Sequence, residues 1–212
     1  LLGLRGMLLF DSNPALAESL LAAPAESGVV EPEFLYQYGL LLLSKERTDQ
    51  AAEALAAASE LKPYDLEIRE ALAAALRRAG RLEESEDIYR ALASDGRDVG
   101  LQLGKLLMER ERYDDALELL LGLTPTADVL DRTAMCLFHL GRSDEALEIE
   151  REALEARPDW PVTMINLAVI LAARGELEEA RDLLERALVI DPNNAAASIN
   201  LERLRKALEE RP

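Results

Sequence analysis

The sequence predicts an all-α fold in which antiparallel helix pairs stack one on the next. Three observations predict it. Strong helix formers (Ala, Leu, Glu and Arg) dominate a chain of 212 residues that is 49% hydrophobic yet only 4% aromatic, and long runs of Val, Ile or Thr are absent. The sequence repeats its own pattern at a spacing of about 34 residues. Each unit of that spacing reads as two amphipathic helical patterns around a short turn.

The unit that shows this most plainly is PVTMINLAVILAARGELEEARDLLERALVIDPNN, residues 161–194. Gly175 suits the left-handed or tight backbone where a first helix stops. Ala180 and Ala187 lie seven apart, on one face of the second helix. Asp191-Pro192 ends that helix, because the residue before a proline disfavours helical backbone.

This ruler orders the chain. Residues 1–31 read as a partial repeat, with Leu4, Leu8, Ala17 and Leu21 on apolar positions and a first helix already under way at Leu1. Residues 32–65 carry Tyr38-Gly39, Ala51, Ala58 and Pro63. Residues 66–96 carry Leu72, Ala73, Gly80 and Tyr89, with Ser85 where Ala is expected. Residues 97–126 carry Leu103-Gly104 and Ala116, and their second helix is short, ending near Leu123-Thr124-Pro125. In residues 127–160, Gly141, Ala146, Ala153 and Pro158 stand in the places of Gly175, Ala180, Ala187 and Pro192. Residues 195–212 read as a capping helix, with Ile199, Leu201, Leu204 and Leu208 on one side and Glu202, Arg203, Arg205, Lys206 and Glu209 on the other. The chain opens on Leu1 rather than Met, so it is expected to be a fragment of a longer or processed protein.

Small residues at positions 8 and 20 of each unit permit a close helix crossing. They are Gly39, Ala73, Gly104, Ala134 and Ala168 at position 8, and Ala51, Ser85, Ala116, Ala146 and Ala180 at position 20. Bulk at either place would push the axes beyond the usual spacing of about 8–10 Å. Large residues at positions 7, 11 and 24 then fill the space between units, and stability comes from stacking.

Five units in near-constant register resemble the tetratricopeptide repeat family. That family places a large residue at position 4, Leu at 7, a small residue at 8, a large one at 11, Ala at 20, an aromatic at 24, Ala at 27 and Pro at 32. No unit here matches throughout: position 4 of the last is Met164, and position 24 is mostly Leu (Leu55, Leu120, Leu184). The resemblance implies a right-handed superhelical solenoid whose first helices line a concave groove for a protein or peptide ligand.

In the family, positions 2, 5, 6, 9, 12 and 13 point into that groove. The groove residues so implied are Tyr36, Leu40, Arg77, Arg78, Leu101, Lys105, Met108, Met135, Phe138, Ile165, Asn166 and Val169. The apolar members would act as anchors, and Arg77, Arg78 and Lys105 would pair with acidic groups of the ligand. Some members grip a chaperone's terminal carboxylate with Lys and Asn at set positions, but Tyr36, Leu40, Asp131 and Met135 stand there, so that activity is not expected. Of the Asn residues that other members use at position 6, only Asn166 and Asn200 fit, with Gln37 and Gln102 as substitutes.

Composition narrows the partner. With 24 basic against 41 acidic residues the net charge is -17, which repels phosphate backbones and anionic membranes. Nucleic acid is therefore not expected as a partner, nor is membrane insertion, since no apolar run reaches about 18–20 residues. A cytoplasmic location is expected, with a periplasmic one left open. The exposed leucines at the start would serve self-association through the N-terminal face.

Catalysis is not expected. His139 and Cys136 are the one histidine and the one cysteine, three apart, with neither an orienting group nor an oxyanion site in view. Two ligands are too few for structural zinc, and no phosphate-binding glycine loop occurs, so no cofactor is expected. The pairs Glu83-Glu84, Asp114-Asp115 and Glu178-Glu179 recur at one place in the frame and suit the positive end of a helix dipole. Two functions from different classes follow: a non-catalytic scaffold that binds its partner in the groove, or the substrate-recruiting or dimerising repeat domain of a larger enzyme.

Overall fold

The computed structural model describes residues 31–209. They form eleven α-helices, and no strand occurs among the described residues. In order these are α1 (Pro32–Ser44), α2 (Thr48–Leu61), α3 (Leu66–Arg78), α4 (Leu82–Ser94), α5 (Gly100–Glu109), α6 (Tyr113–Leu121), α7 (Ala127–His139), α8 (Ser143–Ala156), α9 (Pro161–Ala173), α10 (Leu177–Ile190) and α11 (Ala195–Glu209). The partial repeat expected over residues 1–31, and with it the self-association face, lies outside the described residues apart from Glu31. The described residues divide into two compact units, one up to residue 106 and one from residue 107. In the first, α2 packs on α1 and α3, and α3 on α4; in the second, α7 packs on α6 and α8, and α9 on α8, α10 and α11.

Each first helix ends in the same tight turn. The N–H of Arg81 donates to the carbonyl of Leu76, that of Arg142 to Leu137, and that of Glu176 to Leu171, at 2.9, 2.9 and 3.0 Å. This six-residue closure needs a left-handed residue just before its last member. Gly80, Gly141 and Gly175 supply it with φ of 76°, 78° and 85°. In two turns a glutamate does so instead: Glu46 at 59° and Glu111 at 56°.

Second helices start without a side-chain cap at Arg47, Arg81, Arg112, Arg142 and Glu176. The arginines reach forward one turn instead. Arg81 pairs with Glu84 and Arg142 with Glu145, each at 2.6 Å, and Arg112 Nε donates to Asp115 at 2.6 Å. Hydrogen bonds from these arginines hold Glu84 and Glu145 below the usual carboxylate range. Three helices take a side-chain cap. Asp65 accepts from the N–H groups of Glu67 and Ile68, Thr126 from Val129, and Asn194 from Ala197.

The small residues at positions 8 and 20 are all buried. Ser85 keeps its place among alanines by donating its hydroxyl to the carbonyl of Ala73 at 2.7 Å, which satisfies a fully buried group. Leu55, Tyr89, Leu120 and Leu184 fill position 24 at 2% exposure or less. In the remaining unit Glu150 takes that place, also fully buried.

The capping helix corrects one expectation. Leu201 and Leu204 are buried, but Ile199 is 50% exposed. Residues two apart on a helix point in different directions, so Ile199 and Leu201 cannot share the packed face.

Candidate functional site

The groove residues fall into two groups, one in each unit. In the first unit Tyr36 is half-buried and packs against both core clusters, the one with Leu42, Leu55 and Leu72 and the one with Leu35, Ala58 and Ile68. Burial raises its hydroxyl above the ordinary phenol range, helped by the negative charges of Glu67, Asp65 and Glu70. Leu40 and Leu101 are half-buried. Arg77 is already engaged within the protein. Arg78 is exposed and Lys105 half-buried.

In the second unit Met108, Met135 and Phe138 are half-buried. His139 stacks on Tyr113 with ring centroids 4.4 Å apart and planes within 5°, and Phe138 meets the same histidine edge-on at 5.9 Å. Tyr113 was not among the sequence candidates, because nothing local ties it to residues 26 positions on.

Two candidates face differently from their neighbours. Ile165 is only 6% exposed, so it belongs to the core more than to any surface. Asn166 donates its amide to Asp131 Oδ1 at 2.9 Å, and Thr163 donates to the same oxygen at 3.4 Å. Asp131 itself is 4% exposed, with Arg132 at 3.8 Å from its other oxygen. A residue at a groove position thus serves as an internal tie between α7 and α9.

Val169 opens onto a cavity of about 280 Å³ between α9, α10 and α11. Its walls include Val169 and Ala172 from α9, Leu177 and Leu184 from α10, and Asn200, Arg203 and Ala207 from α11. The lining is chiefly apolar, with Asn200 and Arg203 as its polar groups. Arg203 has no ion pair among the described residues. Val162 and Ile199 stand exposed nearby in the frame, at positions 2 and 5 of their helices. Arg203 and Ala207 were missed by sequence reasoning. Their signal lies in the repeat frame continued past residue 194, where they fall at positions 9 and 13.

Cys136 is fully buried, and burial pushes its thiol up to about 11, the reverse of an activated nucleophile. Among the described residues no group of three or more His, Cys, Asp or Glu could hold a metal ion, and no helix is long and apolar enough to cross a membrane.

A model of the tetratricopeptide repeat matches residues 36–98 and 101–161, and a second matches residues 137–201. The human protein O-mannosyl-transferase TMTC1 is 28% identical over 194 residues, covering 84% of this chain; the chain spans only 22% of that relative. The type IV pilus assembly protein PilF of Pseudomonas aeruginosa is 26% identical over 184 residues, covering 82% of this chain and 73% of PilF. The solved structure of PilF superposes with a TM-score of 0.68 at 25% identity, over 84% of this chain and 85% of the other. A repeat protein from Parabacteroides merdae superposes over 99% of this chain and 86% of its own with a TM-score of 0.87. At 15% identity that last likeness speaks for the fold alone.

Proposed function

Because this chain belongs to the tetratricopeptide repeat family, we propose that it is a non-catalytic scaffold that holds a peptide or protein partner along the face of its first helices. The observation that carries this reading is the cavity under Val169. A first helix and the capping helix converge there on an apolar recess that core residues such as Leu177 and Leu184 floor and that five residues at groove positions of the repeat also line: Val169 and Ala172 on α9, Asn200, Arg203 and Ala207 on α11. An apolar recess with few polar groups suits an anchoring side chain, while the polar groups fix its orientation. The half-buried Met108, Met135 and Phe138 supply adaptable and aromatic contact elsewhere in the same unit.

Affinity capture with the wild type, a Met108→Glu/Phe138→Glu double variant and a Val169→Glu/Ala172→Glu double variant tests the reading. Partners lost from either variant while its helicity and unfolding midpoint stay intact support it. Capture unchanged in both folded variants sinks it.

A second reading is favoured by the relation to a much longer transferase, of which this chain spans 22%. Here the chain is the repeat domain of a multidomain enzyme and recruits its substrate or dimerises it. The full reading frame decides: a catalytic domain joined to these residues supports this reading, and its absence leaves the scaffold.

A further inference from the structure

Glu150 stands where the other four repeats place Leu55, Tyr89, Leu120 and Leu184. Its side chain lies on α8 in the packed interior at 0% exposure, and neither Oε1 nor Oε2 has a hydrogen bond of ordinary geometry, the adjacent carboxyl of Asp131 being the group it meets. The residues one turn away on its own helix are Ala146, Leu147, Ala153 and Leu154, so α8 offers it no charge there. From α7 it is faced by Asp131, 4% exposed, and by Arg132, whose Nε is buried 3.8 Å from Asp131 without a hydrogen bond. From α9 come only the neutral donors Thr163 and Asn166, both directed at Asp131, since α9 contains no ionisable residue. The pair Arg151–Glu179 lies in solvent.

One cation therefore serves two interior carboxyls. With one proton between the two carboxyls the cluster is neutral. When Glu150 releases its proton to solvent, one negative charge is left uncompensated in the core, and such a charge is costly unless it is paired and hydrogen-bonded.

We propose that the α7–α8 pair is a proton-controlled joint, in which a proton on Glu150 keeps α8 docked against α7 and α9 and its loss loosens that docking. Burial is the main cause that raises the Glu150 carboxyl from 4.5 to about 10, and the charge of Asp131 adds to it. The folded value thus lies above the unfolded one. The stabilisation is complete below pH 4.5 and is lost as pH climbs toward about 10. Within that window each pH unit lowers the folding equilibrium constant by up to about tenfold. The joint is independent of the groove reading, because it concerns the free protein.

Urea unfolding of the full chain at pH 6, 7.5 and 9 tests it, with Glu150→Leu and Glu150→Gln beside the wild type. Most carboxylates are already ionised in this range, and a His139→Gln background removes the histidine. The wild type should lose up to about tenfold in folding constant per pH unit, and both variants should lose much less. A carbon-13 titration of the Glu150 carboxyl should give a midpoint well above 7. A midpoint near 4.5, or one pH slope shared by all three proteins, overturns the proposal.

Discussion

A Cβ on Gly39 would stand 2.5 Å from Cγ of Leu55, closer than van der Waals contact allows. The glycine at position 8 of that repeat therefore answers the leucine at position 24, whereas Ala73, Ala134 and Ala168 hold position 8 elsewhere without exposure above 1%. Gly39→Ala should destabilise by about 1–3 kcal/mol despite its better helix propensity. Leu55→Ala, which removes the clashing Cγ, should cost less in the Gly39→Ala background than in the wild type, and a double-mutant cycle in urea measures the coupling. Additive effects would separate the two residues.

Glu46 and Glu111 hold a left-handed backbone that costs an L-residue roughly 1–2 kcal/mol. Glu46→Gly and Glu111→Gly should each raise stability by up to about 1 kcal/mol, net of the added freedom of the unfolded chain. Thermal melts should show midpoints moving upward in both. A fall in both would mean that the carboxylates hold the turn by other contacts.

Cys136 is sealed inside the second unit, with its thiol raised to about 11 by burial. Alkylation at pH 8 should be at least about tenfold slower in the folded protein than in urea. The raised thiol also fixes a sign: the folded state keeps its proton above the ordinary value of 9, so stability from this group is full below pH 9 and declines toward 11. Labelling as fast in the native protein as in the denatured one would contradict this burial.

Ala146 and Ala180 are both fully buried where second helices cross first helices. Ala146→Leu and Ala180→Leu should each overpack that crossing and cost roughly 1–3 kcal/mol. Differential scanning calorimetry checks this. Unchanged midpoints in both variants would place the register elsewhere.

The fold was legible because its determinants are local and recur. Gly80, Gly141 and Gly175 mark the turns by lacking a side chain, and the small residues at positions 8 and 20 mark the crossings. Glu46 and Glu111 were silent by the same logic: a glutamate in a turn advertises charge, not backbone geometry. The candidate face was only half legible. Its positions come from the frame, but whether a side chain there faces out depends on neighbours far along the chain. Ile165 turned inward, Asp131 became an internal tie, and Tyr113 joined His139 from another helix. Glu150 had a visible signal, a charged residue in a slot otherwise held by Leu or Tyr, which a comparison of the five repeats column by column exposes.

The bond from Asn166 to Asp131 has a consequence for what the second unit can recognise. One N–H of that amide is spent on an interior carboxylate, which leaves its oxygen and its second N–H for any further contact. On the groove reading proposed above, the tie to Asp131 fixes which way round that acceptor and that donor would be presented. A chain laid across them would be sorted by direction, since reversing it exchanges the donors and acceptors it presents.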